Sequence, residues 1–296
     1  MKKYKLDNTD TIEVNGHTLY RIIALVDIGD NIKAGDKGGY IESGKNLSQL
    51  GECWVGDNAQ VYGSASVFGY AQVFGNAQVY GGSHIYGSAQ VFENAKVFDD
   101  AQVYGDAQVS GNAQVFGSGN VFDEAQVYED AQIFEHAHIH ENAKVHGEAK
   151  ISGEAYIYGN AEVYGHAQVF RFAEVYKNAK VYGNVEIYGA GRIAGKAEVF
   201  GWAQVYDDAL VYGYAKIYGS AEVYEDATVY GNAQVYESAR VYGDAEVYEN
   251  AHVFKHARVY DNADVSGSAW VFAKAKVYGN AKVRGTDKVC GDTELF

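Results

Sequence analysis

From Val55 to Leu295 every sixth residue is Val, Ile or Leu, 41 positions with no insertion and no exception. Two residues before each stands a small residue, usually Ala, as at Ala59, Ala65, Ala71 and Ala77. Only Cys53, Ser83, Gly119, Val185, Gly191, Asp287 and Thr293 depart from that rule. The repeated word is therefore Ala, a variable residue, Val, an aromatic residue, Gly, and then Asn, Asp or Ser. Residues two apart on a strand face the same way, so Ala and Val point to one side while the variable residue and the aromatic point to the other. The Gly-Asn, Gly-Asp and Gly-Ser pairs are turn formers that take positive φ or cap their own backbone. A short strand and a two-residue corner, repeated, predict a parallel β-helix. Hairpins would need a primed turn every few residues, on strands too short to hold register. An α-helix fails because a period of six does not keep a 3.6-residue face aligned.

The word resembles the hexapeptide repeat of left-handed parallel β-helices, in which an aliphatic and a small residue line a triangular prism. That resemblance implies three words to each coil, and it alone supplies the left hand, against the usual right-handed crossover. The chain departs from the family in carrying Tyr or Phe where a small or acidic residue is usual. The coil length can be tested within the sequence. Steps of 18 at the variable position give Gln72, Gln90, Gln108 and Gln126, then Lys144, Glu162, Lys180, Glu198 and Lys216. Amide ladders and alternating opposite charges are what adjacent strands tolerate. The expected fold is all-β: a single-stranded parallel β-helix of about fourteen triangular coils, a rod of roughly 65 Å at a strand spacing of about 4.8 Å.

Residues 1–50 stand outside this register and are expected to cap the solenoid formed by residues 51–296. "TIEVNGHTLYRIIAL" predicts a β-hairpin about Asn15-Gly16. Ile41, Leu47 and Cys53 are already six apart before the phase shifts to Val55. "GGYIES", "NLSQ" and "GECWV" together resemble the head of bacterial YdcK-type proteins and their phage-encoded relatives. Those are hexapeptide-repeat proteins commonly labelled transferases, with no activity that transfers residue by residue. At the other end, "KVRGTDKVCGDTELF" puts Asp287 and Thr293 in Ala slots. This predicts a short irregular cap or edge-to-edge pairing with a second chain.

Charge and composition narrow the function. A net charge of -15 repels phosphate backbones, and no basic run offsets it, so nucleic-acid binding is not expected. No stretch approaches 18 apolar residues and no apolar leader segment opens the chain, so neither a membrane span nor an export signal is expected. Two distant cysteines, Cys53 and Cys290, suit a reducing compartment, and the expected location is cytoplasmic.

Three features could carry chemistry. Tyr or Phe fills 32 of the 41 positions after the inward aliphatic residue. One face carries them unbroken from Tyr62 to Phe134 in steps of 18, and again from Phe170 to Phe296. These ladders either stabilise the strands or offer an aromatic surface to a glycan, a protein partner or a second copy of the chain. The stretch "EHAHIHENAKVHGEAKIS" clusters His136, His138, His140 and His146. His138 and His140 point outward together, which suits a shared metal or a general base, yet no nucleophile accompanies them and solvated surface is the plainer reading. Phe172, Trp202 and Tyr214 occupy corner positions, near an irregular stretch in which Ala194 replaces the aromatic. They are candidate contact residues. No catalytic residue, metal site or cofactor is assigned.

Two functions compete. A hexapeptide acyltransferase typically carries a loop thrown out from the coils, and 41 uninterrupted words leave no such loop. The favoured reading is a non-catalytic scaffold or binding rod.

Overall fold

The computed structural model describes residues 2–296, and the chain divides into two compact units, Met1–Gly147 and Glu148–Phe296. Each is a parallel β-solenoid of 18-residue coils, and the 41 words amount to about fourteen coils. Among the described residues there is no helix, and so none long and apolar enough to cross a membrane.

In the first unit the head is a hairpin of β1 (Tyr4–Val14) and β2 (His17–Ala24). Asn15 and Gly16 take φ of 52° and 85°, the two positive values that a primed two-residue turn demands. Strand β3 (Lys37–Ile41) runs antiparallel to β2, and its Tyr40 and Ile41 pair in parallel with Gln60 and Val61. The head sheet therefore continues directly into the first coil. Ile41 and Leu47 fill inward slots opposite Val61 and Val67, while Val55 lies opposite Val73. The phase shift is a short insertion between Leu47 and Val55. Lys3 closes the junction from inside: its buried Nζ donates to the Cys53 carbonyl at 2.9 Å and lies 3.2 Å from Cys53 Sγ. Both cysteines are free thiols.

From Trp54 onward every word contributes one short strand, and within each unit it pairs residue for residue with the corresponding word of the adjacent coil. Gln90 lies between Gln72 and Gln108, and Val91 between Val73 and Val109. The pairing produces three parallel sheets in each unit, one per side of the coil. The Val and Ala slots are closed to water along nearly their whole length, so one branched side chain per word forms a continuous core. Where Ser83 replaces Ala, its buried hydroxyl donates to the Tyr80 carbonyl at 2.9 Å.

The corner explains the rest of the word. The Ala N–H donates to the carbonyl of the aromatic three residues back, as from Ala95 to Phe92 at 3.3 Å. That β-turn needs positive φ at its first central position, which is why Gly is written there. At most of the other corners Asp or Glu takes the strained conformation, and at several of them its carboxylate gains a hydrogen bond for it. Glu93 sits at φ 59°, and its carboxylate accepts the Gly111 N–H one coil on at 2.7 Å. Glu249 does the same for Gly267 at 2.7 Å in the second unit. We expect Glu93→Ala to keep the strain, lose the bond and cost about 1–2 kcal/mol. Glu93→Gly relieves the strain and should cost much less. Chemical denaturation of the two variants checks this, and equal losses would remove the role given to the carboxylate.

In the second unit the variable position follows the charge alternation read from the sequence. Glu162, Lys180, Glu198 and Lys216 are register neighbours. Lys180 reaches Glu162 at 2.9 Å, and Lys216 reaches Glu198 at 3.4 Å. Such exposed pairs contribute little stability each, but they set register against slippage. The coil persists through Lys288–Val289 and Glu294–Leu295, where the sequence predicts a short irregular cap or edge-to-edge pairing with a second chain, so the irregular cap is not what forms. Asp287 and Thr293 stand in Ala slots without breaking it, because their backbone carbonyls still accept from Trp270 and Lys276 at 2.8 and 2.9 Å.

Candidate ligand-binding surfaces

The aromatic ladders form as the sequence predicts, but their geometry changes what they offer. Tyr206 and Tyr224 lie with ring centroids 4.8 Å apart and planes within 2°, and Tyr182 and Phe200 at 5.0 Å and 1°. Within an unbroken run the faces of each ring are covered by its neighbours one coil before and after, and a face lacks a stacked neighbour where a Ser, Ala, Cys or other small residue interrupts the ladder, as at Ser110 and Ala194. A ligand meeting a ladder finds ring edges and hydroxyls, not faces. Several hydroxyls are engaged too: Tyr218 donates to Gln234 Oε1 and Tyr230 to Glu246 Oε2, each at 3.2 Å. Burial pushes the phenols of Tyr188, Tyr206, Tyr224 and Tyr242 above the ordinary tyrosine value. The ladders are chiefly cohesive.

The histidines join this system as rings. His140 stacks on Phe122 at 4.8 Å and His146 on Tyr128 at 4.6 Å, each continuing a ladder on its own side of the coil. His138 meets Phe122 edge-on at 6.5 Å, and His136 lies exposed at a corner. Burial holds His140 below the ordinary imidazole value. Among the described residues no three His, Cys, Asp or Glu side chains come together as a metal-binding group.

Phe172, Trp202 and Tyr214 are 60%, 67% and 56% exposed. Trp202 follows Phe172 by five words and Tyr214 follows Trp202 by two, neither a whole number of three-word coils. The three therefore stand on three different corners of the coil and form no common site. The irregular stretch beside them holds no open notch, since Ala194 is only 2% exposed. Tyr214 is engaged by Lys196, whose Nζ lies 5.2 Å from the ring centroid and 3.4 Å from the hydroxyl.

Phe172 and Trp202 both lack an aromatic neighbour at their own corner, and Trp202 stands beside a cleft. Asn184 and Ser220 hold the same corner one coil before and after, and neither is a ring. Among the described residues no aromatic group stacks on Trp202, so its flat surface faces solvent. Beside it is a shallow cleft of about 310 Å³ lined by His166, Gln168, Asn184, Glu186, Trp202 and Gln204. The corner residues and the outward variable residues of three successive coils form that lining, which is why the coil period brings them together. Gln204 Nε2 donates to Glu186 Oε2 at 2.9 Å, and His166 Nδ1 lies 3.2 Å from Glu148 Oε2. One indole face and several planar donors and acceptors thus converge on a single open cleft.

The sequence reading missed a second cleft, in the head. His17 Nδ1 lies 2.9 Å from Glu42 Oε1, and Glu42 Oε2 accepts the Gly63 N–H at 2.7 Å. His17 packs against Tyr62 at 5.2 Å, and Ser43 and Ser64 line the same space. These bonds hold the Glu42 carboxyl below the usual carboxylate range, with the His17 contact first. Nothing in their separation along the chain announces the pair, because β2 and β3 bring the two together only through their antiparallel pairing.

Comparison with known proteins adds one match. A family model described as the YdcK β-solenoid repeat matches residues 203–219, a segment that begins beside Trp202. No curated protein matches the chain. The chain is thus a parallel β-solenoid with a stretch similar to the YdcK repeat.

Proposed function

We propose that this chain is a non-catalytic binding solenoid that holds a saccharide chain against the Trp202 cleft. One observation carries the reading: an indole face left uncovered in a protein whose other aromatic faces are largely stacked on one another. A pyranose ring presents an apolar C–H face and a rim of hydroxyls. The indole suits the former, and the amides of Gln168, Asn184 and Gln204 with the Glu186 carboxylate suit the latter. The coil repeat also suits a polymer, since it presents equivalent positions at regular intervals along one edge.

The test is calorimetric titration with neutral hexasaccharides of differing linkage. A hexasaccharide that binds should bind Trp202→Ala at least tenfold more weakly, with Trp202→Phe in between. Tyr104→Ser, which opens a ladder in the first unit, should leave the affinity unchanged. Equal affinity of wild type and Trp202→Ala for every binding sugar would end the proposal.

The acyltransferase reading has one observation in its favour, the His17 imidazole oriented by Glu42 as a general base would be. Against it, no loop leaves the coils between Val55 and Leu295, so no wall for an acyl donor rises from them.

A further inference from the structure

The charge alternation of the second unit fails on one side of the coil in a run of three cations, and that run builds a site. On the side of the coil that carries Gln168, Glu186 and Gln204, the variable position continues as Glu222, Arg240, Arg258, Lys276 and Glu294. Arg240 pairs in register with Arg258, and Arg258 with Lys276. Three cations therefore stand in consecutive coils, an arrangement that adjacent strands disfavour. The outer two are relieved: Arg240 reaches Glu222 at 3.0 Å, and Lys276 reaches Glu294 at 2.7 Å. Arg258 is exposed and makes no ion pair among the described residues. The neighbouring corner adds more positive charge from Lys255 and Lys274. A cleft of about 510 Å³ opens here, lined by His256, Arg258, Lys274, Lys276, Asp292 and Glu294.

In a chain of net charge -15 this is a local reversal of sign, and it was invisible as a basic run because its members come from successive coils. A position that breaks a local pairing rule without internal compensation marks a place where function outweighs stability. We infer that the cleft around Arg258 binds a tetrahedral oxyanion group, phosphate or sulfate. The guanidinium offers two parallel N–H donors to such a group, and Lys274 supplies a point charge from the corner. The cleft lies on the same edge as the Trp202 cleft, three coils further on. A sulfate ester carried by a saccharide held at Trp202 is therefore one source of the group, and free inorganic phosphate is the other. The cleft's affinity for the oxyanion does not depend on the saccharide reading.

Titrations with a dextran hexasaccharide, its sulfated counterpart and inorganic phosphate separate these sources. Arg258→Ser and Lys274→Glu should each weaken binding of the anionic probe roughly tenfold or more, and added salt should weaken wild-type binding. Binding of the neutral hexasaccharide should not change in either variant. The thermal midpoint of Arg258→Ser without ligand should equal or exceed that of wild type, since a like-charge contact is removed, and this establishes that the variant folds. Arg258-dependent binding of the sulfated sugar supports the cleft and names the ester as its ligand. Arg258-dependent binding of phosphate with no binding of either sugar also supports the cleft, and counts only against the Trp202 reading. If neither anionic probe binds in a way that Arg258→Ser and Lys274→Glu weaken, the inference is overturned.

Discussion

Raising the pH past about 10 is expected to unfold the second unit before the first. The cause is the ladder Tyr188, Tyr206, Tyr224, Tyr242, Tyr260 and Tyr278, whose ring centroids are 4.8–5.0 Å apart. Ionising two stacked phenols sets like charges side by side, at a cost of about 1 kcal/mol per neighbouring pair even in water. Burial and nearby carboxylates already hold the phenols of Tyr188, Tyr206 and Tyr224 above their ordinary value of 10.0. For an acid whose folded value is raised, the stabilising contribution is fully present below the unfolded value. It is lost as pH climbs above that value toward the folded one. Small losses at many sites act together in a solenoid, where each coil is held by its neighbours. The first unit is protected by composition: its two five-ring ladders, Tyr62 to Phe134 and Phe68 to His140, carry only two phenols each. Tyrosinate absorbance should rise together with loss of β-sheet signal, and amide exchange should accelerate first near Val235 and later near Val103. Replacing Tyr206, Tyr224 and Tyr242 by Phe should move the transition to higher pH. Independent titration of the tyrosines near pH 10, with the structure intact, would refute the cohesive role of the ladders.

Val235→Asp should be severely damaging, costing about 3–5 kcal/mol or more. Val235 is fully buried between Ile217 and Val253 in the adjacent coils, and none of these offers a hydrogen-bond partner to a carboxylate. A carboxyl forced into that position will bind a proton more readily than a free one, so part of the loss should be recovered as the pH is lowered. The same change one residue earlier, Gln234→Asp, points outward beside Lys216 and should stay within about 0.5 kcal/mol. Denaturant midpoints of the two variants measure this difference. Equal losses would mean that inward and outward positions are wrongly assigned.

The contrast between these two neighbours explains why so much of the fold was legible in the sequence. An inward slot admits only apolar residues of limited size, so its period survives from Val55 to Leu295 and announces both the strand and the coil. The hairpin at Asn15-Gly16 was legible for a similar reason, since few residue pairs take two positive φ values. Outward and corner positions are constrained less, and there the sequence was ambiguous. Counting Tyr and Phe revealed the ladders, but not that within a run each ring's face is taken up by the next. The composition of Phe172, Trp202 and Tyr214 suggested a common contact, which the three-word coil denies. The His17–Glu42 pair and the Arg258 cleft depend on residues brought together by strand pairing, so neither appears in any short stretch of sequence. The C-terminal words show the converse error: Asp287 and Thr293 change side chains, while the backbone ladder that holds the coil does not depend on them.

The proposal that the Trp202 cleft holds a saccharide is tested most directly at the indole itself. The chain has three tryptophans, of which Trp54 is 5% and Trp202 67% exposed, with Trp270 between them at 39%. Three indole N–H resonances are therefore expected in a nitrogen–proton correlation spectrum, and Trp202→Phe identifies the one of interest by its disappearance. Titration with a hexasaccharide that binds should shift the Trp202 resonance in a saturable way and leave that of Trp54 in place. Saturable binding with the Trp202 resonance unmoved would contradict the account.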